Sequence, residues 1–193
     1  MKAIDIIHDE HRALAAVLKS LEFVVQGLEQ NKFKADFQLL SALLDYINRV
    51  PEVLHHPKED EVLFPKVRAK CPEAHPILDA LEEEHRQGAK NLLALSQALI
   101  HFQAVGQAGL APFAAEVATY LTFNWGHLNR EENELIPLIK DKLSQEDWAE
   151  IDQAFEANKS PWAGVEGEFE QLFSTIVNLT PAPYGLGQSL ANA

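Results

Sequence analysis

The sequence predicts an all-α protein: an up-down-up-down four-helix bundle with a short fifth helix and a C-terminal extension. Three observations carry this expectation. Apolar residues recur at helical spacing nearly throughout, and no strand-type alternation competes. Four periodic segments are long and their connections short, so neighbours run antiparallel. The first pair of segments also repeats in the second pair.

The first helix is expected over about Ile4 to Leu28, with a core stripe of Ile4, Ile7, His11, Leu14, Leu18, Leu21, Val25 and Leu28. Gly27 and the polar Glu29-Gln30-Asn31 end it. The second runs from about Lys34 to Lys70, with Pro51 and Pro57 inside it. A proline removes a helix hydrogen bond and clashes with the preceding turn, so a kink or short break is expected there. Cys71-Pro72 makes the next turn. The third helix spans about Pro76 to Ala104, with Leu78, Leu81, His85, Leu92, Leu95, Leu99 and Phe102 on one stripe. Gly106 and Gly109 flank the loop to the fourth, from about Pro112 to Lys142. Ser144 then has the character of an N-cap for a fifth helix through Asn158, with Asp147 at its third position. A last amphipathic piece surrounds Phe169, Leu172, Phe173 and Ile176, before a polar end containing Pro and Gly. The expected division is a bundle over residues 1–143 and an extension over 144–193. The extension is expected to pack on the bundle or against a second subunit, which would make a homodimer.

Composition narrows the function classes. Apolar residues make up 47% and charged ones 23%, the balance of a chain that buries a core. The net charge of −13 repels phosphate backbones, so no nucleic-acid partner is expected. No stretch approaches ~18 uninterrupted apolar residues, so no membrane span is expected. Cys71 is the only cysteine, which leaves neither a disulfide framework nor a thiolate cluster. With no apolar run of signal-peptide length at the start, a cytoplasmic location is expected.

The chemistry lies in the repeat. A shift of 72 residues aligns His55-x-x-x-Glu59-Asp60-x-x-Leu63-Phe64-Pro65 with His127-x-x-x-Glu131-Glu132-x-x-Leu135-Ile136-Pro137. A shift of 74 aligns Glu10-His11-Arg12 with Glu84-His85-Arg86. Two similar hairpins imply an approximate twofold axis, near which repeated residues meet. His11 and His85 come early in their helices and the His/Glu pairs late in theirs, so antiparallel packing puts all six at one height. A His and a Glu four apart share a helix face. Burying several imidazoles and carboxylates costs several kcal/mol per ion unless cations compensate. His11, His55, Glu59, His85, His127 and Glu131 are therefore the candidate metal ligands. Imidazole with carboxylate and no thiolate suits Fe, Mn or Zn.

Blander readings apply elsewhere. His8 and His56 are expected to be half-buried or exposed, since His56 follows His55 and is rotated ~100° from it on a regular helix; His56 remains an outside candidate for an extra ligand. His75 is a helix-start residue and His101 a solvated one. Glu82-Glu83-Glu84 is an acidic first turn facing the helix dipole and solvent. Tyr120, Phe123 and Trp125 are packing residues, with Trp125 able to wall a site. A ferritin-like alternative would use Glu52-x-x-His55 and Glu82-x-x-His85, but leaves Glu59, Glu131, His11 and His127 partly unexplained.

Asp9-Glu10-His11, His55-His56-Pro57-Lys58-Glu59-Asp60-Glu61-Val62-Leu63-Phe64-Pro65, Glu83-Glu84-His85 and His127-Leu128-Asn129-Arg130-Glu131-Glu132 resemble the hemerythrin-like, His-His-Glu cation-binding family over roughly residues 4–142. The helix around Asp147-Trp148 resembles an extension in bacterial members. The resemblance implies two iron ions, one held by His11 and His55, the other by His85 and His127, with Glu59 and Glu131 bridging. It also implies a non-haem di-iron protein that binds or reacts with O2, NO or peroxide, in sensing, storage or repair of iron centres. The chain departs from the oxygen carriers in having Leu81 where they carry a further histidine, and Glu131 where they end on an aspartate one residue later. Open coordination positions favour reaction or sensing over simple oxygen transport. Two other expectations stand beside this one: a metal-responsive regulatory or interaction module without turnover, and a metal-free helical scaffold.

Overall fold

The computed structural model describes residues 1–156 and 166–187. The first bundle helix, α1 (Lys2–Glu29), buries every residue of the expected stripe. The second is one helical rod over residues 37–70: α2 (Phe37–Ile47), a π-helical stretch Asn48–His55, α3 (His56–Lys58), a π-helical turn Glu59–Leu63 and α4 (Phe64–Lys70). Asp36 caps its start, its carboxylate accepting from the N–H groups of Gln38 and Leu39. The third, α5 (His75–Val105), also buries its whole expected stripe. It ends at Gly106, whose φ of 64° favours glycine. The fourth covers residues 110–139 as α6 (Leu110–Arg130), a π-helical turn Glu131–Leu135 and α7 (Ile136–Ile139). Its end comes sooner than expected because the Lys142 N–H turns back to Ile139 O.

The prolines do not break the second rod. The junction residues Ile47, His56, Glu59 and Phe64 all keep right-handed helical dihedrals. The turns widen instead. The N–H of His56 bonds to Pro51 O, that of Phe64 to Glu59 O, and that of Ile136 to Glu131 O, each spanning five residues. Pro57, Pro65 and Pro137 then open the next α segments, where a missing N–H does little harm. The repeat thus extends to a π turn at both glutamates, and π turns frequently mark functional sites.

The described part of the extension folds onto the bundle. At α8 (Gln145–Glu156) Ser144 and Asp147 cap each other reciprocally, Asp147 N–H to Ser144 Oγ at 3.1 Å and Ser144 N–H to Asp147 Oδ2 at 3.0 Å. Trp148, Ile151 and Phe155 join the apolar cluster of Ile4, Ile7, Phe64 and Leu81. Replacing the fully buried Ile151 with Ala should cost about 2–5 kcal/mol in urea unfolding, the range for a lost core side chain. Residues 157–158, expected to finish this helix, lie outside the described residues. The last helix, α9 (Glu166–Leu179), lies along α2, with Ile176 buried and the Phe173 and Tyr46 rings 5.8 Å apart. The side chain of Phe169 lies outside the described residues. Among the described residues no helix is long and apolar enough to cross a membrane.

Candidate metal centre

Two apolar clusters fill the bundle, and a polar layer separates them. On one side lie Leu14, Ile47, Leu92 and Leu121, on the other Ile7, Leu63, Leu81 and Leu135. Between them stand all six sequence-predicted residues: His11 on α1, His55 and Glu59 on the second rod, His85 on α5, His127 and Glu131 on the fourth. None is more than 7% exposed.

The layer brings these residues into contact. His11 Nε2 lies 3.1 Å from Glu131 Oε2, and His55 Nε2 lies 3.4 Å from Glu59 Oε1. His85 Nε2 sits between the two glutamates, 3.6 Å from Glu59 Oε2 and 3.9 Å from Glu131 Oε1. His127 Nε2 lies 3.4 Å from Glu131 Oε1. Together with His56, their donor atoms fall into two groups, His11/His55/Glu59/Glu131 and His56/His85/His127, within each of which the atoms lie within 4.8 Å of one another.

His56 is a correction to the sequence reading. It is buried, and its ring stacks on His85 with centroids 4.1 Å apart. The ~100° rotation that would carry it away from His55 belongs to an α-helix; a π turn holds more residues per turn and rotates each one less. Both neighbours therefore face inward.

Each of the four repeated imidazoles is oriented from outside the layer by a carboxylate on another helix. His55 Nδ1–H donates to Glu10 at 2.7 Å, His11 Nδ1–H to Glu132 at 2.7 Å, His85 Nδ1–H to Asp60 at 2.8 Å and His127 Nδ1–H to Glu84 at 3.1 Å. The proton assignment follows from carboxylates being acceptors only. Every Nε2 lone pair is then turned inward. Glu84 thus departs from the expected solvated first turn; it reaches across to His127 and Arg130. Sequence reasoning missed these four carboxylates, although each adjoins a predicted ligand and shares the repeat.

The electrostatics describe a site built for positive charge. Burial opposes charging of His11, but the Glu131 and Glu132 carboxylates beside it outweigh burial and raise the pKa to about 9. Burial opposes it at His85 too, and Asp60 and Glu131 again raise the pKa to about 9. Burial pushes His55 and His127 down, and His56 well down. Burial and the neighbouring Glu131 hold Glu59 well above the usual carboxylate range. At Glu131 burial is overcome by His127, His11 and His85, which hold it well below that range.

The residues fit cations. His85 Nε2, His127 Nε2, Glu59 Oε2 and both Glu131 carboxylate oxygens are buried without a hydrogen-bond partner. His11 Nε2 and His55 Nε2 face each other at 3.0 Å, an arrangement that needs a proton or a metal ion between two lone pairs. A ferritin-like set is not assembled: Glu82 pairs with Arg68, and Glu52 lies beside His56 Nδ1 at 3.6 Å. His8 is half-buried against Glu132, His75 Nε2–H donates to Arg68 O at the helix start, and His101 is exposed. Trp125 does wall the site, lining a cleft of about 490 Å³ with His8, His11, Leu128 and Asn129.

Fold and site together define a class: helical-bundle proteins that hold cations in a buried layer of histidines and glutamates. The family model of the hemerythrin HHE cation binding domain matches residues 2–139, and the chain belongs to that family. No curated protein and no solved structure matches the chain.

Proposed function

We propose that the chain is a non-haem di-iron protein whose centre binds or reacts with O2, NO or peroxide. The observation that carries this reading is the two donor groups in one buried layer, with Glu59 and Glu131 of the first group 3.4–3.9 Å from His85 or His127 of the second. His11 and His55 would hold one ion and His56, His85 and His127 the other, with the glutamates shared. Imidazole and carboxylate without thiolate suits iron, with Mn or Zn as substitutes. Iron bound there would supply electrons and open coordination positions to a small ligand. The chain's part is to keep the ions apart from bulk water and to fix the imidazoles.

The two halves are unequal. At the 72-residue offset of the repeat, His56 corresponds to Leu128, a buried residue that lines the cleft beside His11. The His11/His55 ion therefore has fewer imidazoles and the nearer opening, and a small ligand would bind there. Iron analysis with azide or NO titration tests the reading; a protein that takes up no iron would overturn it. In His56→Leu, one ion should remain tight and the other weaken at least tenfold, about 1.4 kcal/mol, by chelator competition.

A second reading, a metal-responsive interaction module, is favoured by one contact. Lys58, which pairs with Glu10 at 3.1 Å, also lies 5.5 Å over the Phe155 ring of α8. The centre is thus linked to the extension through His55, Glu10 and Lys58. Unchanged hydrogen exchange in residues 145–156 on metal loading would count against it.

A further inference from the structure

The four outer carboxylates do not stand in equal surroundings, and the difference follows the repeat. Glu10, bonded to His55 Nδ1, also takes Lys58 Nζ at 3.1 Å. Glu84, bonded to His127 Nδ1, also takes the Arg130 guanidinium. Lys58 and Arg130 are 72 residues apart, and Glu10 and Glu84 are 74 apart, the two offsets of the repeat. A histidine–carboxylate–cation chain is therefore built twice. The other two carboxylates differ. Among the described residues no lysine or arginine pairs with Glu132, on His11, or with Asp60, on His85; Glu132 instead meets His8 Nε2 at 3.2 Å.

A carboxylate that accepts the Nδ1–H of a ligating imidazole makes its Nε2 a better donor to a metal. A cation on the same carboxylate draws electron density back and weakens that push. Each ion of the centre then receives one repeated histidine of each kind, with His56 in addition at the second. His11, whose carboxylate carries neither lysine nor arginine, is paired with His55, whose carboxylate carries Lys58. His85 is paired with His127, whose carboxylate carries Arg130.

We propose that Glu10, Asp60, Glu84 and Glu132 are positioning residues of the metal centre, and that Lys58 and Arg130 damp two of them, so that the two repeated histidines at each ion are one strongly and one weakly donating imidazole. The proposal rests on the two-ion reading above. The lysine and arginine contacts are matched across the repeat, so they do not make the two ions unequal; that inequality lies in His56, in the cleft beside His11 and in the His8 contact of Glu132.

Spectroelectrochemistry of the iron-loaded protein tests it. Glu132→Gln should raise the midpoint potential, because the imidazole loses its carboxylate push. Lys58→Met should lower it, because Glu10 is left undamped, and Lys58→Arg should stay near the original value. In a Glu10→Gln background, Lys58→Met should cause no further shift. Competition for Zn2+ gives a second readout, with Glu132→Gln weakening affinity on the order of 10–100-fold. A Lys58→Met protein that keeps both irons at an unchanged potential would overturn the proposal. So would an equal shift with and without Glu10, since the lysine would then act as a distant charge. An original chain that binds no metal would overturn the underlying reading, a failure visible before any variant is made.

Discussion

Glu59→Gln should leave the metal-free fold intact and weaken cation binding on the order of 100-fold, about 2.7 kcal/mol. Glu59 is 1% exposed, and one of its oxygens has no partner in the protein. Burial and Glu131 favour its neutral form when no cation is bound, so a neutral amide of the same shape imitates it there. The cation, in contrast, needs a charged oxygen donor, which the amide lacks. Thermal melts with and without metal, beside metal analysis, separate the two effects. Equal metal affinity in the variant would remove Glu59 from the ligand set. A large loss of metal-free stability would instead mark it as a packing residue.

Stripping the metal should lower the melting temperature markedly, and returning it should restore the original value. A ligand that binds only the folded state at 100 times its Kd adds about 2.7 kcal/mol per site. For a chain of this size that corresponds to about 5–10 °C per site. The physical source is the layer itself. Without cations, buried carboxylate oxygens and imidazole nitrogens lie unpaired or face one another. Such groups are costly to keep out of water, and a metal ion offsets that cost. Calorimetry before and after chelation measures the shift; identical melts would favour the metal-free scaffold. The shift should also be much smaller in Glu59→Gln, because a carboxylate that ligated the cations would also transmit their stabilisation.

Much of this architecture is written locally. The period of α1 places Ile4, Ile7, His11, Leu14 and Leu18 on one face, and all five are buried. The stripe from Leu78 to Phe102 on α5 holds in the same way. Short connections fix the antiparallel order, and the internal repeat brings the predicted His and Glu residues to one level. A spacing of four along a helix is a local geometric fact, so His55/Glu59 and His127/Glu131 could be read from the chain alone.

Other parts needed the assembled molecule. The α-helical rotation places His56 outward, whereas the π turn at Asn48–His55 carries it inward beside His85. Proline at Pro51 signalled a disturbance, but the periodic pattern did not say whether the chain would break or widen. The outer carboxylates were hidden for another reason. Glu132 meets His11 across 121 residues of sequence, Glu10 meets His55 across 45, and Glu84 meets His127 across 43. Such pairs depend on how helices are rotated and set in height against each other.

The sequence by itself determined the helices, their buried faces and the level at which six candidate ligands gather, because periodicity and repeat spacing act within a few residues. Only the tertiary structure decided which nitrogen of each histidine faces inward, that His56 joins the layer, and that one half of it borders a cleft. Those outcomes depend on contacts between helices distant in sequence and on local widening of the helix, and neither is encoded in spacing along one chain segment.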